Sequence, residues 1–237
     1  MKQMFYGGVH PAEHKEATEH KPIQQLAKAP AQVVIPMSMH IGAPCKPVVK
    51  KGDVVKVGTL LGEAGGFVSA PIYSSVSGKV SKVDVALDAS DTRRMAVYVD
   101  VEGDEWEESI DRSEALVRLE DRPDLDAQAI VDEVHAIWKS LDDKANYLLR
   151  QEIAAERDDI KQAGIVGMGG ATFPCHVKLC PPPGQKAECV IINAVECEPY
   201  LTSDHSLMLE KADEILVGVA LIMKAVGVER GYIGIEN

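Results

Sequence analysis

The run Gly164-Ile165-Val166-Gly167-Met168-Gly169-Gly170-Ala171-Thr172-Phe173-Pro174, followed by Lys178, is the stretch best suited to gripping a ligand. Glycines at 167, 169 and 170 let the backbone turn tightly and bring its N–H groups up to a phosphate or a flat ring. Lys178 adds a positive charge for the anion. A second stretch, Asn193-Ala194-Val195-Glu196-Cys197-Glu198-Pro199-Tyr200, follows the short apolar run Cys189–Asn193. In open α/β sheets ligands collect beyond the carboxyl ends of strands. An Asn at that place can donate and accept at a ring edge, and the carboxylates of Glu196 and Glu198 can accept from sugar or polyol hydroxyls. Each stretch also has a plain reading: glycine-rich loops often only connect elements, and the acidic run can be a solvated turn with Asn193 closing the strand. The ordinary dinucleotide fingerprint is not met. It needs Gly or Ala at 172, where Thr stands, and a strand ahead of the loop, whereas the clear strand follows it.

The elements that must carry these stretches read in four parts. Residues 1–30 are polar, rich in His, Lys and Glu, and without a sustained period, as in an extended arm laid over the domains. Residues 31–110 are all-β: short β-branched runs (Gln32–Ile35, Lys46–Val49, Asp53–Val57, Lys79–Val83, Ala96–Val101) alternate with Gly, Pro, Ser and Asp. Residues 111–162 turn helical, with Leu125, Ala129, Val131, Val134, Ile137 and Trp138 at helical spacing and Asp124 as a cap. Residues 163–237 form an α/β segment. It has one strand at Cys189–Asn193, a long amphipathic helix over Leu207–Val226 burying Leu209, Ile215, Val219, Leu221, Ile222 and Val226, and a second strand at Gly231–Glu236. Two strands and one helix cannot cover both faces of a parallel sheet, so further strands are expected beyond this segment.

Within the β region, Val48-Val49-Lys50-Lys51-Gly52-Asp53-Val54-Val55-Lys56-Val57-Gly58 resembles the first half of biotinyl/lipoyl-type barrel-sandwich domains. Ala70-Pro71-Ile72-Tyr73-Ser74-Ser75-Val76-Ser77-Gly78-Lys79-Val80 resembles their return strand. Gly52-Asp53 then makes the turn, where positive φ carries no Cβ penalty in glycine. Carrier domains expose a lysine on the hairpin between the halves. Here that hairpin, Glu63 to Ser69, contains none, so a docking or stiffening module is expected rather than a carrier.

Composition narrows the partners. The chain has 237 residues, 46% hydrophobic and 26% charged, which suits globular domains with real cores. Its net charge is −12, without the clustered Lys and Arg that a phosphate backbone demands, so no nucleic acid is expected. No run approaches about 18 apolar residues, so no direct membrane span is expected, and the polar opening is no signal peptide. The five cysteines, four of them spaced C-x4-C-x8-C-x7-C, fit neither a ferredoxin run nor paired knuckles and read as buried or loop thiols. His10 and His14 stand at i, i+4, but Pro11 and the polar arm argue against a metal site there. His176 and His205 flank the ligand stretches and suit hydrogen bonding. No catalytic acid–base residue and no metal ligand is assigned.

Taken together, the G-M-G-G-A-T-F-P loop with its lysine and the I-I-N-A-V-E-C-E-P-Y stretch resemble the flavin-binding subunit of respiratory complex I, and more closely the RnfC family of Rnf-type oxidoreductases. Phe5-Tyr6-Gly7-Gly8-Val9-His10-Pro11, His40-Ile41-Gly42-Ala43-Pro44, Leu201-Thr202-Ser203-Asp204-His205 and Gly231-Tyr232-Ile233-Gly234-Ile235-Glu236 share the resemblance, which runs nearly end to end. It implies a barrel-sandwich hybrid domain, a helical linker and the first part of a Rossmann-like flavin domain. It implies FMN on Gly167, Gly169, Gly170, Ala171 and Lys178, with Asn193 and Glu196 on its ribityl chain and ring. Phe173 and Glu198 would lie where NAD(H) stacks and hydrogen-bonds. Val195 departs from the acidic residue of the complex I relatives. The implied activity is hydride exchange between NADH and FMN, with [4Fe-4S] clusters only in a further C-terminal part. The implied partners are Rnf-type membrane subunits and, indirectly, ferredoxin, at the cytoplasmic side of the inner membrane as a peripheral subunit. The competing expectation is a cofactor-free scaffold docking onto membrane partners.

Overall fold

A computed structural model describes residues 11–24, 28–88, 91–110 and 159–235. The helical stretch expected over 111–162, Trp138 included, lies outside the described residues except for 159–162, which are helical. The chain divides into two compact units. In described residues, one holds 28–88, 91–110 and 159–186, and the other holds 11–24 and 187–235.

The first unit is built on two antiparallel sheets. Strands β1 (Gln32–Pro36), β7 (Arg93–Val101), β6 (Gly78–Leu87) and β3 (Val54–Val55) lie in the order β1-β7-β6-β3. Strands β2 (Lys46–Pro47), β4 (Leu60–Glu63) and β5 (Ile72–Tyr73) form the second sheet, in the order β2-β4-β5. Both sheets feed one core: Ile35, Val55, Val80, Val97 and Val99 from the first, Leu61 and Ile72 from the second, with Met37 and Cys45 between strands. Strand alternation is plain in β7, where Val97 and Val99 are fully buried and Tyr98 between them is not. Gly52 takes φ 97 in the turn before β3, as its sequence context anticipates. A short helix, α1 (Cys175–Lys178), belongs to the same unit.

Several strands differ in extent from the sequence reading: Lys46–Val49 is a strand only at Lys46–Pro47, and Ala96–Val101 begins earlier, at Arg93. The run Asp53–Val57 pairs only at Val54–Val55, because Lys56 N–H turns to Thr59 Oγ1 (2.8 Å) and Gly58 N–H to Ser74 O (2.8 Å). β6 runs on to Leu87 because its partner β7 starts at Arg93, and the pair forms one long hairpin.

The second unit contains a parallel pair, β8 (Val190–Ala194) and β9 (Gly231–Ile235), with Ile191 opposite Tyr232 and Asn193 opposite Gly234. Between them run two helices, where the hydrophobic pattern suggests one. Helix α2 (Ser203–Glu210) ends and α3 (Ala212–Val226) begins at Lys211, whose φ −132, ψ 33 leaves the helical region. The break changes the phase of the apolar face. Val219 is buried and Ile215, Ile222 and Val226 are half-buried, but Leu209 and Leu221 face solvent, 71% and 54% exposed. α3 lies against β9, so that a Cβ on Gly231 would come within 2.7 Å of Met223 Sδ. Gly227, with φ 77, closes α3 and donates to the Met223 and Lys224 carbonyls.

Candidate functional site

The glycine-rich loop belongs to the β-sandwich unit and is closed at its base. Gly167 N–H donates to Phe173 O (2.9 Å), Val166 bridges Pro174, and Cys175 N–H donates to Ile165 O (3.0 Å). The tip above these bonds, 168–171, is exposed, and among the described residues a Cβ on Gly169 or Gly170 would meet nothing within 4 Å. Thr172 takes φ 47, an uncommon left-handed conformation for a residue with a Cβ. Helix α1 follows directly and returns Lys178 over the loop, where its ammonium fills the space a Cβ of Gly167 would occupy. Gly167, Phe173 and Lys178 are thus gathered at the base, while Gly169, Gly170 and Ala171 form the open rim.

The sandwich holds this loop at both ends. Tyr73 Oη donates to the Gln162 carbonyl just before it. Gly164, with φ 70, passes so close that a Cβ would stand 2.6 Å from Pro71 O. Beyond the loop His176 is buried, its Nε2 3.4 Å from Phe67 O on the hairpin where a carrier would expose its lysine. Burial pushes the Cys175 thiol above its ordinary pKa against the pull of Lys178. Burial does the same to Cys45 against its Ser69 hydrogen bond.

Asn193, Glu196 and Glu198 belong to the other unit. Asn193 lies on the open face of β8, its Oδ1 accepting from Val195 N–H (3.1 Å), and its amide N–H groups have no hydrogen-bond partner among the described residues. Glu196 is buried, and its carboxylate caps α2. Oε1 accepts from Ser203 Oγ (2.9 Å) and Asp204 N–H (3.0 Å), and Oε2 accepts from His205 N–H (3.3 Å). Burial works to raise its pKa, but the Asp204 amide, the Ser203 hydroxyl, the His205 amide and the Lys15 charge together hold it below the ordinary carboxylate value. A carboxylate offers about four lone-pair positions, so one stays open on Glu196. Glu198 is exposed.

The sequence reading missed what surrounds this acidic turn. Lys15 Nζ donates to the Glu196 carbonyl, Tyr200 N–H donates to Glu13 O (2.7 Å), and the His14 ring stacks on Tyr200 with centroids 5.2 Å apart. A cavity of about 370 Å³ opens at the carboxyl ends of both strands, between Ala194, Ile235, Glu196 and His205 on one side and arm residues Lys15, Glu16 and Glu19 on the other. The arm's one sequence signal is the Phe5–Pro11 motif ahead of it, which says nothing of where residues 11–24 pack.

Known proteins share both parts of this chain. Residues 3–104 match the family profile described as RnfC Barrel sandwich hybrid domain, and residues 160–237 match the Nuo51 FMN-binding domain. The chain is 44% identical over 234 residues to the C subunit of the Na(+)-translocating ferredoxin:NAD(+) oxidoreductase complex of Acetobacterium woodii, covering 98% of the chain and 45% of that protein. It is 42% identical over 238 residues to the C subunit of the proton-translocating ferredoxin:NAD(+) oxidoreductase complex of Clostridium ljungdahlii, covering 100% and 45%. It is 37% identical over 234 residues to the C subunit of the ion-translocating oxidoreductase complex of Rhodobacter capsulatus, covering 98% and 38%. The chain therefore spans less than half the length of these relatives.

Proposed function

We propose that this chain, whose residues 3–104 match the RnfC barrel-sandwich hybrid domain and whose residues 160–237 match the Nuo51 FMN-binding domain, belongs to the RnfC family and is the flavin-binding end of the RnfC component of an ion-translocating ferredoxin:NAD oxidoreductase. In this reading Gly167, Gly169, Gly170 and Ala171 present backbone N–H groups to FMN, and Lys178 neutralises its phosphate. Asn193 reaches the flavin through its uncommitted amide, and Glu196 through its one open lone-pair position. Phe173 and Glu198 receive the nicotinamide nucleotide. The α/β segment is the opening of a Rossmann-like domain, and β8 and β9, parallel and separated by helices, support that assignment. FMN, when bound, supplies the acceptor for a hydride from NADH. The chain's own part is to hold ring and donor in contact and to exclude other geometries.

The complete protein, in the same proposal, hands single electrons to [4Fe-4S] clusters carried outside these residues, and through membrane subunits to or from ferredoxin. Among the described residues no helix is long and apolar enough to cross a membrane. In the same proposal the subunit sits peripherally at the cytoplasmic face, docked on its partners.

The observation that carries the reading is the Lys178 ammonium standing over side-chain-free Gly167 beside an open glycine rim. Titration of FMN, followed by quenching of flavin fluorescence, tests it. Lys178→Met should weaken binding roughly 10- to 100-fold, the loss of one charge-assisted hydrogen bond. A complete protein with no FMN affinity would instead support a cofactor-free scaffold.

A further inference from the structure

We infer that the N-terminal arm is a positioning element of the nucleotide site: Lys15 and His14 clamp the acidic segment Glu196–Tyr200 at its two ends and so fix Glu198, the residue between them proposed to receive NADH. The inference rests on the hydride-exchange reading above and deepens it.

A short polar loop whose residues mostly face solvent has little packing to hold it, and such segments open at low free-energy cost. Here both ends are tied to the arm. At one end Lys15 Nζ donates to the Glu196 carbonyl, while the Glu196 carboxylate is committed to α2. At the other, Tyr200 N–H donates to Glu13 O (2.7 Å), Thr18 Oγ1 donates to Tyr200 O (3.3 Å), and the His14 ring lies on the Tyr200 ring at 19°. Cys197 and Glu198, between the ties, are exposed.

The backbone supports the same conclusion. His14 (φ 51) and Tyr200 (φ 67) both sit in the left-handed region, and they are the two residues that stack on each other. A residue with a Cβ persists there only where its surroundings over-determine it. Free of the arm, Tyr200 would relax and carry Glu198 with it. The arm also supplies one wall of the cavity at the strand ends, so its removal would open the place where a ligand of a parallel sheet collects.

The test uses the complete FMN-loaded protein and follows NADH-dependent flavin reduction. Lys15→Met should raise KM for NADH about tenfold with kcat, FMN content and Tm nearly unchanged, as expected when one charged hydrogen bond that orients a contact is lost. Lys15→Arg should restore it. In hydrogen exchange the Tyr200 amide, protected by Glu13 in the wild type, should open at least severalfold faster in Lys15→Met and in His14→Ala. An unchanged KM in both variants would overturn the inference, as would a KM that rises only together with loss of FMN and of Tm. If the wild type keeps its Tyr200 amide protected but does not oxidise NADH, the clamp stands and the hydride reading falls.

Discussion

The β-sandwich and the parallel β8–β9 pair place their apolar residues on opposite terms. In the sandwich Leu61, Val97 and Val99 are completely shielded, and both sheets close over them. In the parallel pair α3 covers one face, where Val219 and Ala225 are buried. On the other face the register partners Ile191 and Tyr232 stand 69% and 53% exposed. The sandwich takes its geometry from packing. The strand-end turn takes its geometry from directed polar ties, the Glu196 cap and the arm. The glycine-rich loop, although assigned with the flavin segment by sequence order, packs with the first kind of structure through Tyr73, Pro71 and Phe67.

Substitutions can break or sharpen that contrast. The largest effect belongs to the sandwich. Leu61→Ala leaves a cavity among residues of both sheets and should cost about 2–5 kcal/mol in denaturant unfolding; a loss below about 1 kcal/mol would mean the core can collapse around the gap. Next comes the polar tie. Glu196→Gln keeps the shape but weakens the α2 cap, for a loss of about 1 kcal/mol. Its sign with pH is fixed. The folded pKa of Glu196 is depressed, so its contribution is present above the ordinary glutamate value of about 4.3 and fades as pH falls through the lower folded value. Wild type and variant should therefore differ in Tm at neutral pH and converge in acid. The smallest effect is on the open sheet face, where Ile191→Thr should stay within about 0.5 kcal/mol of wild type; a larger loss would mean that face is covered in solution.

Much of the sandwich is legible in the sequence because its signals are local. β-branched runs of period two, a glycine at the turn before β3 and a lysine-free hairpin each speak through neighbouring residues. The loop is equally legible as a motif, and the following helix explains why Lys178 falls back on Gly167. Three features are not legible. The break at Lys211 carries no Gly or Pro, only a backbone turn between two good helix-forming runs. The capping role of Glu196 depends on a helix that begins at Ser203, so its charge suggests a ligand contact when most of its acceptor capacity serves the fold. The arm's destination is hidden most completely, because single polar contacts leave no period in the sequence.

The side-chain ties that anchor the arm join residues 181 to 187 positions apart. A ribosome adding about 5–20 residues per second leaves the emerged arm waiting roughly ten to forty seconds for its partner. The sandwich strands, finished by Val101, are released and can close well within that interval. The hydrophilic, unpatterned sequence of residues 11–24 is what a nascent segment needs to wait without sticking. A variant that made the arm more apolar would be expected to fail first during synthesis, before any assay of the finished protein could register it.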